Sequence, residues 1–458
     1  MRDLARIFKA YDVRGVVPDE FDEVVAHDAG AAFARLTEAS AVVVARDMRA
    51  SSGPLARAFA RGVTGQGVDV VDAGLSSTDM LYYASGSLDL PGAMFTASHN
   101  PPEYNGLKLC RSGAKPVGSD SGLAEIRAMI ERGVPEHADG TGVITERDLL
   151  SGYADHLKKL VDLSGIRRLK VVVDAGNGMA GHTVPSVFDG LPIDLVSLYF
   201  ELDGTFPHHE ANPIEPENLR DLQRAVRESN ADAGLAFDGD ADRCFVVDER
   251  GEVVSPSVLT ALIAVRELAK ERRAGGAQDQ GPSIIHNLIT SRAVSEIVRE
   301  HGGVPVRTRV GHSFIKATMA ETGAVFGGEH SGHFYFRDFW FADSGMLAAL
   351  HLLAALGGQE RPLSQLLAEY GRYCASGEIN SEVADQSATM AKVRSVFAGR
   401  QGVSLDELDG LTVSSDTWWF NLRPSNTEPL LRLNVEAADK QTMASVRDEV
   451  LSTVGSST

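Results

Sequence analysis

Cysteine is scarce in this chain: Cys110, Cys244 and Cys374 are the three among 458 residues, far apart and without CxxC spacing. That excludes a disulfide framework and fits a reducing compartment. Long hydrophobic runs are missing as well. No stretch of about 18 apolar residues occurs, so no membrane-spanning segment is expected. The opening Met1-Arg2-Asp3-Leu4-Ala5-Arg6 lacks the apolar region of a signal peptide, so a cytoplasmic protein is expected. Positive charge is short: 44 Lys and Arg face 63 Asp and Glu, a net −19. A nucleic acid or an anionic membrane would be repelled, so neither is expected as a partner. An anionic substrate would need a locally basic cleft.

What is present is the composition of a soluble globular protein, 43% hydrophobic and 23% charged, long enough for three or four domains. Ala41-Val42-Val43-Val44-Ala45 reads as a buried strand, Gly53 to Thr64 as a helix with Ser51 or Ser52 as its cap, and Val68 to Asp72 as the next strand. The same order recurs from Leu169 to Asp174, after Gly181, and from Ile193 to Val196. It returns at Ser283 to Ile285, Ser291 to His301 and Val304 to Val306. Continuous Val/Ile runs joined by helices indicate largely parallel sheets covered on both faces, repeated in three units. The C-terminal part has two β-rich runs flanking a loop, 417–422 and 430–436, then a helix from Lys440 to Val450, as in a small α+β domain. The expected division is 1–150, 151–252, 253–370 and 371–458. The stretch from Arg273 to Pro282 reads as a mobile surface loop.

Four segments carry chemistry. Thr96-Ala97-Ser98-His99-Asn100-Pro101 sets a serine after a short apolar strand, in a loop stiffened by Pro101 and Pro102. Such a serine is expected to be exposed and held in one direction, as a nucleophile or phosphate carrier must be. His99 braces the loop, and Lys108 follows closely enough to neutralise phosphate near Ser98. In Asp238-Gly239-Asp240-Ala241-Asp242-Arg243, an extended loop would turn all three carboxylates to one side, where they repel unless a hard cation sits among them. Arg243 would hold an anionic group beside that cation. An EF-hand is excluded, because its sixth position is Arg243 rather than glycine.

In Gly328-Glu329-His330-Ser331-Gly332-His333, Glu329 and Ser331 point the same way if the segment is extended, a pair suited to neighbouring sugar hydroxyls. His333 is suited to proton transfer near neutral pH. His312, His330 and His333 raise zinc as an alternative, but no Cys or His stands at ligand spacing. Arg423-Pro424-Ser425-Asn426-Thr427-Glu428-Pro429 places a guanidinium and polar side chains in a loop between strands, the donors of a phosphate cradle. Near the start, Lys9-Ala10-Tyr11-Asp12-Val13-Arg14-Gly15 pairs an aromatic hydroxyl with a guanidinium.

Taken together, the five motifs, in chain order from the Tyr-Asp-Val-Arg-Gly start to the Arg423 loop, resemble the α-D-phosphohexomutase superfamily over nearly the whole chain. The Tyr-Asp-Val-Arg-Gly start looks like its bacterial phosphomannomutase/phosphoglucomutase branch. The resemblance implies three similar α/β domains with mixed, largely parallel sheets plus a C-terminal α+β domain around a central cleft, each giving one loop. It implies that Ser98 carries a phosphoryl group, and that Mg²⁺ is held by Asp238, Asp240, Asp242 and the phosphate on Ser98. Glu329 and Ser331 would bind sugar hydroxyls; Arg423, Ser425, Asn426 and Thr427 would hold the non-reacting phosphate. Tyr11, Arg14, Lys108, Arg243, His312 and His333 would line the cleft, with Arg14, Lys108 or His333 assisting proton transfer.

The implied reaction interconverts mannose 6-phosphate and mannose 1-phosphate, with the glucose pair as second substrates and a hexose 1,6-bisphosphate as intermediate and activator. The expected partners are small sugar phosphates, in a monomer or homodimer. One departure stands out: some dual-specificity relatives have a lysine where this chain reads His286-Asn287-Leu288-Ile289-Thr290, which leaves the acid/base and the sugar preference open. Alternatives are a phosphoglucosamine mutase, a metal-dependent phosphohydrolase using the same serine, and a silent sugar-phosphate-binding protein. Steady phosphate release without isomerisation would mark the hydrolase, and absence of phosphate on Ser98 the binding protein.

Overall fold

Each predicted strand–helix–strand unit forms a parallel pair within a sheet. The computed structural model describes residues 3–137, 140–275, 281–425 and 430–455. Residues 276–280 of the expected surface loop lie outside the described residues, as do Asn426 and Thr427. The chain divides into two compact units, Met1–Leu259 with Ser331–Leu366, and Thr260–His330 with Leu367–Thr458.

In the first unit, one sheet contains β1 (Val13–Val16), β2 (Ala41–Arg46), β3 (Asp69–Leu75), β4 (Gly92–Phe95), β5 (Tyr104–Arg111), β6 (Lys115–Pro116) and β7 (Ile144–Glu146). Its order is β1-β5-β4-β2-β3-β7, with β6 beside β5. The β4-β2-β3-β7 part is parallel, and β5 is antiparallel to both β4 and β1. Parallel strands need covering on both faces, and the helices α1 (Glu23–Thr37), α2 (Ser52–Thr64), α3 (Thr78–Leu88) and α4 (Leu123–Arg132) alternate with them in the chain. The Asp22 carboxylate caps α1 by accepting the Val24 and Val25 N–H groups. Helices α1 and α2 pack backbone to backbone: a Cβ on Gly62 would lie 1.9 Å from the His27 carbonyl oxygen, so only glycine fits.

A second sheet runs β12-β11-β10-β8-β9, from β8 (Leu169–Asp174), β9 (Ile193–Leu198), β10 (Ala233–Phe237), β11 (Cys244–Asp248) and β12 (Val253–Val254). Strand β8 is parallel to β9 and β10, while β10 and β11 form an antiparallel hairpin. The accompanying helices are α5 (Leu150–Leu160), α6 (Ala180–Phe188) and α7 (Arg220–Ser229).

After α8 (Pro256–Arg273), the other unit holds β13 (Ser283–Asn287), α9 (Arg292–Glu300), β14 (Val304–Thr308), α10 (His312–Thr322) and β15 (Phe326–Gly328). Strand β13 is parallel to β14 and β15. Ser291 caps α9 by accepting the Ala293 N–H. The chain then returns to the first unit with the antiparallel pair β16 (Phe334–Phe336) and β17 (Ala342–Asp343), followed by α11 (Gly345–Gly357) and α12 (Leu363–Leu367).

The C-terminal α+β domain comprises β18 (Cys374–Glu382), α13 (Gln386–Phe397), β19 (Ser404–Asp406), β20 (Leu411–Ser414), β21 (Trp418–Pro424), β22 (Leu430–Ala437) and α14 (Lys440–Gly455). Its sheet, β18-β22-β21-β20-β19, is antiparallel throughout. Phe397, Phe420, Leu433 and Val450 centre its core. The architecture is therefore three α/β domains with mixed sheets and a smaller α+β domain. Among the described residues, no helix is long and apolar enough to cross a membrane.

Candidate active site

The serine loop leaves the end of β4 and is fixed from beneath by Arg49. That guanidinium donates to the carbonyls of Ser98 (2.9 Å), Asn100 (2.7 Å), Pro101 (2.7 Å) and Tyr104 (3.0 Å). Arg49 is itself buried against Asp47, Nε to Oδ2 at 3.3 Å, and Asp47 takes a hydrogen bond from Ser52. Ser98 sits in the left-handed region, φ 51°, with its N–H on Thr96 Oγ1 at 2.9 Å. A non-glycine residue there is strained by about 1–3 kcal/mol and persists only when its surroundings hold it; four carbonyls on one arginine supply that restraint. The expectation of an exposed serine is corrected: Ser98 is 5% exposed. The acidic loop covers it, with the Gly239 Cα close against the Ser98 carbonyl.

That acidic loop joins β10 to β11, and the Phe237–Cys244 pairing closes it at six residues. It is a turn rather than the extended segment expected, with Ala241 at φ 60° and its N–H on the Asp238 carbonyl at 3.0 Å. The short hairpin leaves no room for an extended path, yet it still converges the carboxylates of Asp238, Asp240 and Asp242 to within 4.8 Å. All three are buried. Ser98 Oγ donates to Asp238 Oδ2 at 2.7 Å, and Arg243 Nε donates to the same oxygen at 2.8 Å. Lys108 Nζ bridges Asp240 Oδ2 and Asp242 Oδ2, 2.7 Å from each.

Burial works against the charge of Lys108, but Asp240 and Asp242 outweigh it and hold its pKa well above the usual lysine value. Burial likewise opposes ionisation of Asp240, and Lys108 outweighs it, so that carboxyl is depressed. Burial, then the neighbouring Asp240, pushes Asp242 upward. Asp240 Oδ1 is buried without a hydrogen-bond partner. A buried carboxylate oxygen with nothing to bind, beside two further carboxylates, suits a hard divalent cation, so these residues fit Mg²⁺.

Around this centre, Arg14 donates to Asn100 Oδ1 (2.6 Å) and Asp12 Oδ2 (2.5 Å), which ties β1 to the serine loop. Tyr11 is half-buried in the bend before β1. His99 Nδ1 lies 3.2 Å from Ser98 Oγ. Burial, then Arg243 and Arg14, pushes its pKa well down, so it braces the loop as a neutral ring. Ser331 Oγ is 2.9 Å from His333 Nδ1, and His333 Nε2 lies 3.6 Å from Asp242 Oδ1.

The chain turns at His330 and Ser331, with Gly332 at φ 86°, so the alternation expected of an extended segment does not apply. Glu329 instead faces Asn287 Nδ2 (3.4 Å) and the Gly311 N–H (3.3 Å). Among the described residues, His330 and His333 do not share a metal-binding group: His333 groups with Asp242 and Asp343. The side chain of His312 lies outside the described residues.

In the C-terminal domain, Arg423 lies one residue before the end of β21 and donates to Glu378 Oε2 at 2.7 Å, and the Ser425 N–H closes the hairpin on the Leu430 carbonyl at 2.8 Å. Sequence reasoning missed Glu378, Arg49 and Asn287. It also missed Thr78, whose hydroxyl and N–H hold the Asp240 side chain (2.5 Å) and carbonyl (3.0 Å). Thr78 and Arg49 act across more than 40 positions of chain, and nothing local marks them.

Four domain models described as phosphoglucomutase/phosphomannomutase match the chain: α/β/α domain I at 5–136, domain II at 151–251, domain III at 257–373, and the C-terminal domain at 378–453. The chain is 40% identical over 447 residues to the "Phosphohexose mutases" of Xanthomonas campestris pv. campestris, covering 97% of this chain and 98% of that protein. It is 38% identical over 455 residues to a phosphomannomutase of Escherichia coli, covering 97% and 98%. A crystal structure of a phosphoglucomutase/phosphomannomutase family protein from Burkholderia thailandensis superposes with a TM-score of 0.87 at 33% identity, over 100% of this chain and 98% of that one.

Proposed function

The chain belongs to the phosphoglucomutase/phosphomannomutase family and is a phosphosugar mutase, and from that premise we propose that it interconverts mannose 6-phosphate and mannose 1-phosphate, and the glucose pair as second substrates, through a phosphoserine at Ser98. The observation that carries the reading is the 2.7 Å hydrogen bond between Ser98 Oγ and Asp238 Oδ2, which sets the serine oxygen at the edge of the acidic triplet. In this reading the segments 1–150, 151–252, 253–370 and 371–458 each carry one of the loops the reaction uses.

Ser98 Oγ bears the phosphoryl group. The free hydroxyl oxygen of the bound sugar phosphate bonds to its phosphorus as the bond from phosphorus to Ser98 Oγ breaks. A hexose 1,6-bisphosphate forms, turns around, and returns its other phosphoryl group to Ser98 Oγ. The hydroxyl proton is carried by one of Arg14, Lys108 and His333. Asp238, Asp240 and Asp242, with the phosphate on Ser98, would hold Mg²⁺, which when bound offsets the charge of the phosphoryl group in transit. Lys108 and Arg243 keep the site's carboxylates from facing a second anion unscreened. Glu329 and Ser331 bind sugar hydroxyls; Tyr11 and His312 contact the sugar phosphate; Arg423, Ser425, Asn426 and Thr427 hold the phosphate that does not react. Burial of Ser98 excludes the water that would otherwise hydrolyse the phosphoserine.

Intact-protein mass before and after phosphatase treatment tests the covalent step: wild type should lose one phosphate and Ser98→Ala should carry none. The same variant should retain its fold and lose nearly all turnover; near-normal turnover would refute the assignment. Specificity constants for mannose 1-phosphate, glucose 1-phosphate and glucosamine 1-phosphate decide the sugar, and preference for the amino sugar would overturn the mannose reading.

A further inference from the structure

Asp242 presents two oxygens to two different neighbourhoods. Oδ2 receives Lys108 at 2.7 Å on the triplet side. Oδ1 is buried, has no hydrogen-bond partner, and faces His333 Nε2 at 3.6 Å. A separation of 3.6 Å is too long for a hydrogen bond between a nitrogen and a carboxylate. It is close to the roughly 3.3 Å that separates two ligands lying about 2.0–2.1 Å from a shared tetrahedral ion.

Strand geometry supplies a third donor. His333 precedes β16 by one residue and shares a face with Tyr335, two positions on. Tyr335 pairs directly with Asp343 on β17, so the Asp343 carboxylate emerges on that same face. An isolated antiparallel bridge between Arg243 and His333 then sets the end of the acidic loop side by side with this segment. Asp242, His333 and Asp343 consequently offer one ligand atom each, all within 4.8 Å of one another. Asp242 and Asp343 are buried, at 1% and 3% exposure, so their mutual repulsion is poorly screened by water. Ser331 Oγ engages His333 Nδ1 at 2.9 Å, the outer contact that orients a metal-binding imidazole so that Nε2 is the ligating atom.

We propose that Asp242, His333 and Asp343 form a second divalent-cation site, distinct from the acidic triplet, that selects zinc over magnesium. The imidazole is the basis of the selection: one nitrogen and two carboxylate oxygens are a zinc donor set, whereas magnesium takes oxygen ligands and keeps its water. Asp242 would bridge the two sites, one oxygen to each. Zinc here occupies His333 and one oxygen of Asp242, so it restrains two groups that the mutase reading employs and lowers turnover. Assignment of the site itself depends only on the three side chains and holds whichever sugar is the substrate.

The test uses the full chain dialysed against Zn²⁺ in the continued presence of excess Mg²⁺, with bound metal counted by elemental mass spectrometry. One zinc per chain should be retained, and Asp343→Asn should weaken its binding by about tenfold or more. Zinc-edge X-ray absorption should show an imidazole nitrogen in the first shell of wild type that disappears in His333→Gln. Zinc retention unchanged in a folded Asp343→Asn variant would overturn the proposal. So would substoichiometric zinc, or a wild-type shell of oxygen only, the signature of zinc that has merely replaced magnesium in the triplet. If Asp343→Asn fails to fold, the wild-type absorption spectrum decides alone.

Discussion

Replacing Gly239 by alanine tests whether the contact between the serine loop and the acidic loop sets catalytic geometry. A Cβ at 239 would stand 2.4 Å from the Ser98 carbonyl oxygen and 3.3 Å from its carbonyl carbon, where ordinary contact begins at 3.4 Å. One of the two loops must therefore move by about 1 Å. Neither is free to do so cheaply. Arg49 Nη2 grips the Ser98 carbonyl at 2.9 Å, and the Met179 N–H grips the Gly239 carbonyl at 2.9 Å from the other side. Overpacking of this kind costs about 1–3 kcal/mol of stability. The larger consequence is for the chemistry. The displacement acts on the 2.7 Å contact between Ser98 Oγ and Asp238, and a misplacement of about 1 Å at a reacting group lowers rate by roughly 100-fold. Denaturant unfolding gives the first quantity, and steady-state turnover at a temperature where the variant is fully folded gives the second. Turnover within twofold of wild type, together with an unchanged midpoint, would show that the loops are not mechanically coupled.

Lys108→Met should destabilise the metal-free protein by about 3 kcal/mol or more, because it leaves Asp240 and Asp242 uncompensated in a buried place. Mg²⁺ should restore more stability to the variant than to wild type; equal magnesium-induced shifts of Tm in the two would contradict this. A second prediction concerns Asp79 on α3, whose buried carboxyl accepts hydrogen bonds from Ser77, Tyr153 and Ser344. Burial raises its pKa from 3.8 to about 6, more than those hydroxyls lower it. Between these values the folded chain keeps a proton that the unfolded chain has released. The contribution of this group is therefore fully favourable below pH 3.8 and is lost as pH rises through 6, by about 3 kcal/mol in all. Asp79→Asn should remove that slope from unfolding free energies measured from pH 4 to 7; an identical slope in the variant would place the titration elsewhere.

The valine runs at β2 and β8 and the isoleucine pair of β13 were legible because a strand buried on both faces reads as an uninterrupted apolar segment, and helices followed each at the spacing a parallel crossover needs. The triplet was legible for a related reason: three carboxylates within five residues have few purposes besides a cation. Their path was not. An extended loop and a tight hairpin turn place alternate side chains differently, and the choice between them depended on the register of β10 with β11, a pairing with no local signature. Ser98 shows the same boundary from the other side. Its place at a strand end, in a polar loop with two prolines, pointed to exposure, because such loops ordinarily lie on the surface. Its burial depends on a segment about 140 residues later lying across it. Arg49 is the sharpest case. A single arginine amid ordinary sequence reads as a solvated charge, yet four carbonyl oxygens of the serine loop converge on it. Motifs reveal which groups react, because chemistry restricts residue type. What holds those groups in place draws on backbone amides and carbonyls, which every residue carries, so the supporting half of the site becomes visible only once the chain is folded.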